Sequence, residues 1–212
     1  MIKVENVDVW GIENAIRAIR NPMNSWALSD SVINHNYKEE FEDDVVTIGV
    51  DDLALMRKLY KAGNEHRTYA RVIQVAMDIV APLYWWKEMD RYTVGKSQIS
   101  CSTMHKIHSK EFTFDDFSTE HMLILSKDAL TATIQAMNIY RKDYLDTKDK
   151  QYWWQLIQLL PTSYNQRRTV CMSYEVAFKI IKERTGHRLD EWNEFVDILK
   201  ELPYIEDIIK ED

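Results

Sequence analysis

Glycine and proline are scarce, with five and four residues in a chain of 212. So little punctuation leaves no room for a flexible linker and points to a single domain over 1–212. Cysteine is scarcer still. Cys101 and Cys171 cannot make a disulfide framework, and neither has a nearby cysteine with which to build a structural zinc site. Reduced, cytoplasmic surroundings fit. No stretch approaches the ~18 apolar residues of a membrane span. Met1-Ile2-Lys3-Val4-Glu5 lacks the apolar core of a secretion leader. Glycine-rich phosphate loops and a glycine-flanked nucleophile elbow are also missing, so any nucleotide would be held by side chains and helix ends. Positive charge is in deficit. A net charge of -7 speaks against generic nucleic-acid binding, which depends on cations neutralising phosphates, but leaves room for a local basic pocket for one small anion.

What is present begins with an ordinary globular balance, 45% hydrophobic and 29% charged. Seven Trp and eleven Tyr exceed what packing alone needs, and core plus subunit interface is the plain explanation. One stretch stands out, Ala81 to Glu111. It opens with Pro82 and the aromatics Tyr84, Trp85 and Trp86. It then turns polar through Gly95, Lys96, Ser97, Gln98, Ser100, Cys101, Ser102, Thr103, His105, Lys106 and His108. Hydroxyls, amides, cations and flat rings together are the groups that hold a phosphate and a base.

Periodicity gives a helix-rich α+β protein with three or four strands, mostly outside βαβ alternation, and a small mixed or antiparallel sheet. Ile2, Val4, Val7 and Val9 suggest a short strand whose alternation breaks near Asn6. Helices are expected at Ile12–Arg20, ended by Asn21-Pro22, and at Asp51–Ala62, with Gly63 at C′. Arg17 and Arg20 lie one turn apart and point two cations at the polar loop from Asn24 to His35. Val45–Ile48 reads as a strand. So does Arg71–Val80, with Ile73, Val75, Met77 and Ile79 on its buried face. Pro82 suits the first turn of a helix over Tyr84–Arg91. Ser118 is a candidate N-cap for a long helix, His121–Leu145, with Leu123, Leu130, Ile134, Met137 and Tyr140 inward. Gln151–Leu160, Val170–Arg184 and Leu189–Leu199 complete the helices. Thr162–Arg168 (TSYNQRR) is a second polar segment.

Three chemistries can be weighed from these residues. Ser97, Ser100, Ser102 and Cys101 near His105 and His108 lack the setting of a covalent nucleophile. His105, His108 and Glu111 are spaced by three, but without an HExxH pattern an exposed histidine pair explains them better than a metal site. The arginines say more. Arg167 and Arg168 follow Tyr164-Asn165-Gln166, and Arg184 comes on the next helix. Arginine forks suit phosphate and Asn or Gln suits a base edge, while surface ion pairs are the plain alternative.

In order of elements the chain resembles the flavin-dependent thymidylate synthases. Gly63-Asn64-Glu65 is similar to that family's Gly-His-Glu phrase, Arg71 to Val80 to the strand that follows it, and Ala81-Pro82 to that strand's end. Leu160-Pro161, the segment around Arg167, and the helix to Arg184 with Trp192 beyond resemble its C-terminal part. The family signature RHRxxSxNExSxRY falls on Arg91 to Met104. Only Arg91 is retained; Gln98 stands in for Asn, and Ile99 replaces the glutamate. The resemblance implies a divergent member, of the sort found in phage and related mobile genomes.

It further implies a homotetramer that binds FAD and dUMP at subunit junctions, with a reduced folate and NADPH as co-substrates. Trp86, Arg91, Gln98 and Glu65 would then meet the flavin. Ser100, Ser102, Asn165, Gln166, Arg167 and Arg184 would meet the nucleotide. No protein nucleophile is required, since reduced flavin supplies the hydride. A flavoenzyme acting on a pyrimidine nucleotide, a non-catalytic binder of a nucleotide or nucleotide-derived signal, and a structural interaction protein all remain open.

Overall fold

The computed structural model describes residues 2–34 and 45–210. Strand β1 (Lys3–Trp10) and helix α1 (Ile12–Arg20) come first, then strands β2 (Val32–Asn34) and β3 (Val45–Thr47). Helix α2 (Val50–Lys61), strand β4 (Gln74–Pro82), helix α3 (Leu83–Met89) and strand β5 (Lys96–Ser100) follow. The rest comprises helices α4 (Ile124–Thr147) and α5 (Lys150–Leu159), strand β6 (Asn165–Ser173), and helices α6 (Tyr174–Arg184), α7 (Asp190–Lys200) and α8 (Ile205–Ile209). Four strands form a sheet in the order β1-β4-β6-β5, and β2 pairs antiparallel with β3. The helix-rich α+β architecture expected from periodicity is the one observed. Among the described residues no helix is long and apolar enough to cross a membrane.

Over the described residues the chain divides into two compact units. The first is drawn from Met1–Glu5, Asp78–Arg91 and Gln98–Val170; the second from Asn6–Met77, Tyr92–Ser97 and Cys171–Asp212. In the first, α4 and α5 pack together over a core of Ile107, Phe112, Phe117, Leu130, Ile134, Met137 and Leu156. Asp149 caps α5 by accepting the Gln151 amide at 2.9 Å, satisfying one of the donors that a helix N-terminus leaves open.

The second unit is held by α6 against α7 and by α2 against α8, with Tyr174, Phe178, Trp192 and Phe195 fully buried. Its loop between α1 and β2 is tied down by a buried charge pair. Arg20 Nε meets Asp52 Oδ1 at 2.6 Å, and the hydroxyls of Ser29 and Ser31 donate to Asp52 Oδ2 at 2.5 and 2.6 Å. Burial pushes the Asp52 carboxyl up, but the Ser29, Ser31 and Arg20 bonds outweigh it and hold the pKa below the usual range. Asp30 accepts the amides of Asp51 and Asp52, at 2.9 and 3.0 Å, and so closes the start of α2 from a distance. Gly49 makes room for it: a Cβ there would sit 2.1 Å from the Asp30 carboxyl carbon.

Several expectations shift. The strand expected from Arg71 starts at Gln74, because Thr68–Arg71 winds into a 3-10 turn first. Its alternation is as expected, with Val75, Met77 and Ile79 buried. The helix expected from Val170 begins at Tyr174, and Val170–Ser173 belongs to β6. Ser118 does not cap α4, whose N-cap is Leu123; instead its hydroxyl donates to Asn165 Oδ1 at 2.8 Å. Leu123, expected inward, is 79% exposed. Arg20 turns into the core, while Arg17 bonds Asn14 on its own helix. β1 runs on through Asn6, whose positive φ of 53° interrupts the alternation as expected, and Gly63 takes the left-handed position after α2. His35, assigned to the polar loop, lies outside the described residues.

Candidate functional site

Within the polar stretch after α3, Lys96–Ser100 is strand β5; Lys96 and Ser97 belong to the second unit and Gln98 onward to the first. In the second unit, Val94 to Ser97 line a cavity of about 470 Å³ with Arg71, Gln74, Cys171, Ser173 and Glu175. The carrier of this wall is Gly95, at a φ of 76°. A Cβ at that position would lie 3.1 Å from both Ser173 Oγ and Val176 Cγ2, and the Gly95 carbonyl accepts the Ser173 amide at 3.0 Å. Arg71 meets Glu175 through two bonds, Nη2 to Oε1 at 3.0 Å and Nε to Oε2 at 2.5 Å. That pair stands open to solvent on the arginine side. Cys171 lies 3.8 Å from Gln74 Oε1 through its sulfur, and burial raises its pKa, so it is a thiol and not a thiolate at neutral pH. The cavity therefore offers a guanidinium, an ammonium and hydroxyls, and no activated nucleophile.

In the first unit the side chains of α3, β5 and β6 form a second polar cluster. Arg168 Nη1 meets Asp90 Oδ1 at 2.7 Å, and its Nε donates to Gln166 Oε1 at 3.0 Å. Its guanidinium carbon lies 4.3 Å from the centre of the Trp86 ring. Gln98 donates to the same Asp90 oxygen at 2.6 Å, and Gln166 donates to the Cys101 carbonyl at 2.7 Å. Alongside, Arg167 bridges Asp78 at 2.7 Å and Glu5 at 3.2 Å, and Thr169 donates to the other Asp78 oxygen.

Among the residues picked out from the sequence, Trp86, Gln98 and Gln166 are gathered into this cluster. Trp86 is fully buried: its Nε1 donates to the Gln166 carbonyl at 3.0 Å. Asn165 is occupied by Ser118, and Ser102 Oγ accepts the amides of Met104 and His105 in a local turn. Arg91 and Ser100 are exposed. Glu65 and Arg184 stand in the second unit. Glu65 is exposed beside a cavity also lined by Ile19, Pro22, Leu59, Tyr69 and Val72. Arg184 stacks 4.5 Å over Trp192, and its Nε donates to the Tyr92 hydroxyl at 3.0 Å.

Sequence reasoning missed Arg71, Glu175, Ser173 and Asp90. Arg71 and Glu175 are 104 positions apart, and no local pattern links them. A usable signal existed in Asn165–Ser173, where Gln166, Val170 and Met172 alternate inward. Among the described residues no three His, Cys, Asp or Glu side chains gather to hold a metal ion.

No protein-family model matches this sequence, and no curated protein matches it either. Solved structures do. The flavin-dependent thymidylate synthase ThyX from Helicobacter pylori, complexed with FAD and dUMP, is similar at a TM-score of 0.66 and 15% identity, over 98% of this chain and 99% of that one. The UMP/dUMP methylase PolB from Streptomyces cacaoi, bound with 5-Br dUMP, is similar at a TM-score of 0.58 and 12% identity, over 94% and 88%. The chain has the fold of the flavin-dependent thymidylate synthases.

Proposed function

We propose that one domain over 1–212 binds a pyrimidine nucleotide such as dUMP and, with FAD, transfers and reduces a one-carbon unit on it. The observation that carries this reading is the end-to-end likeness, over 98% of this chain, to a synthase complexed with FAD and dUMP. The donor set supports it. Lys96, Ser97 and Arg71 line a cavity of about 470 Å³, a volume suited to a mononucleotide. The phosphate is proposed to sit there, with Glu175 yielding Arg71 to it.

For the flavin, the exposed Arg91 and the Asp90–Gln98 pair of the first unit are the proposed contacts, while Trp86 acts from the core by holding Arg168. When bound, reduced FAD supplies the hydride, and a reduced folate and NADPH are the proposed co-substrates. The chain's own residues bind, orient and exclude water. Assembly is proposed to be a cytoplasmic homotetramer. Leu123, Ile124 and Leu125 support it, being an apolar run each at least 75% exposed at the start of α4.

A second reading is a protein of this fold that holds the nucleotide without turning it over. Ile99, which stands where the resemblance would put glutamate, favours it: this side chain is 79% exposed and offers no polar group. Purified protein separates the two. Flavin absorbance together with dUMP-dependent methyl transfer supports the enzyme. A colourless protein that binds dUMP in calorimetry supports the binder. No binding of dUMP or FAD at millimolar concentration ends both. Light scattering that finds only the 25.2 kDa chain at micromolar concentration ends the tetramer.

A further inference from the structure

The turn between α4 and α5 carries a cavity that shares no lining residue with the site above. It encloses about 360 Å³ between Met104, His105, His108, Tyr144, Lys148, Lys150 and Trp153. Two lysines and two histidines line it, and no carboxylate does. Asp149, which lies between the lysines in sequence, is turned away to cap α5, where it accepts from both the amide and the side chain of Gln151. Among the described residues neither lysine has an ion-pair partner; Lys148 lies over the Tyr144 ring at 5.8 Å and Lys150 over Trp154 at 5.7 Å. Trp153 is anchored by its Nε1 on the Met104 carbonyl at 2.9 Å, and the Tyr144 ring stands edge-on to His108 at 4.9 Å.

His108 supplies the second observation. Its Nδ1 is buried without a hydrogen-bond partner, a cost that a ligand group reaching it would remove. In a chain of net charge -7, such a pocket concentrates positive charge beside flat rings. We propose that it binds a phosphate carried on a planar ring, a nucleoside monophosphate, with Lys148 and Lys150 on the phosphate and Trp153 and Tyr144 on the ring. The reading does not depend on the function proposed for the first site.

The charged groups around His108 set what a bound anion does. Burial lowers its pKa, and Lys148, Lys106 and Arg141 lower it further, so the imidazole is held neutral. A phosphate screening Lys148 relieves that repulsion and raises the pKa. The test is a pH titration of the His108 ring by NMR, its signal identified by loss in His108→Gln, with and without uridine monophosphate. Uridine and inorganic phosphate are the control probes.

The nucleotide is expected to raise the His108 pKa and to bind at least tenfold tighter than either control. Lys148→Asn with Lys150→Gln should weaken it at least tenfold, Asn being chosen because position 148 has a left-handed φ of 59°. A His108 signal that millimolar nucleotide leaves unmoved overturns the proposal. So does binding of inorganic phosphate as tight as that of the nucleotide, since the ring then adds nothing. The titration uses wild-type protein and stands even where the double variant fails to fold.

Discussion

The Arg20–Asp52 pair of the second unit and the Arg168–Asp90 pair of the first are almost the same length, 2.6 and 2.7 Å. Their surroundings differ. Arg20 and Asp52 expose 8% and 0% of their side chains, whereas Arg168 exposes 12% and its partner Asp90 44%, so the two pairs differ in the carboxylate and not in the arginine. A buried pair has no alternative partner, so its charges are committed to the fold. An open pair can trade its carboxylate for a ligand oxygen with little loss, because water screens whichever partner is absent. Distance therefore does not separate a pair committed to the fold from one that can open; the exposure of the carboxylate does.

The largest effect expected from that contrast is at Asp52. Replacing it with alanine leaves the Arg20 charge buried opposite nothing and frees the Ser29 and Ser31 hydroxyls, at a cost of about 3–5 kcal/mol. Denaturant unfolding measures it. A loss under about 1 kcal/mol would mean that water reaches this pair and that the contrast is false.

Acid should draw the same distinction. The folded-state pKa of Asp52 is depressed, so its contribution is fully present above the unfolded value of about 3.9 and disappears as pH falls through the lower folded value. Stability of the wild type should fall steeply below about pH 4. Asp52→Asn should start lower and fall less steeply, and parallel pH profiles for the two proteins would remove Asp52 as the cause.

Arg168→Ala comes next. The arginine itself is well covered, and its loss removes the stacking on Trp86 and the bond to Gln166, worth about 1–2 kcal/mol together. Arg168→Lys keeps the charge but not the flat stack, and thermal melting should rank the two variants with lysine between alanine and wild type.

How much of this was legible from sequence depended on what each element buries. Helix α1 was read to the residue because Ala15, Ile16 and Ile19 repeat at helical spacing on a single buried face. Gly63 and Asn6 were legible because backbone strain selects residue type. Strand β5 was not, since Lys96-Ser97-Gln98-Ile99-Ser100 exposes its one aliphatic residue, Ile99, and half-buries Lys96 and Gln98. The first half of β6 failed for the same reason: Gln166 takes a core position that pattern reading reserves for apolar residues. Both misses fall in the polar stretches chosen as the candidate site. Composition thus located the region, while the pairing of Arg71 with Glu175 and of Arg168 with Asp90 needed the fold.

The smallest stability effect, and the sharpest use of the contrast, is at Glu175. Arg71 exposes 56% of its side chain and Glu175 21%, so the pair contributes no more than about 1 kcal/mol to the fold. Glu175 also holds the one guanidinium of the 470 Å³ cavity in two bonds, and an incoming phosphate must compete for that fork. Glu175→Gln removes the competing charge and leaves the shape, so dUMP binding should tighten several-fold with the unfolding midpoint almost unchanged. Arg71→Gln should weaken the same binding at least tenfold at equally small cost to stability. Calorimetry with dUMP on the two variants separates a ligand site from a surface ion pair. If both bind like wild type, Arg71 and Glu175 serve only each other, and the open pairs of this protein are no more functional than its buried one.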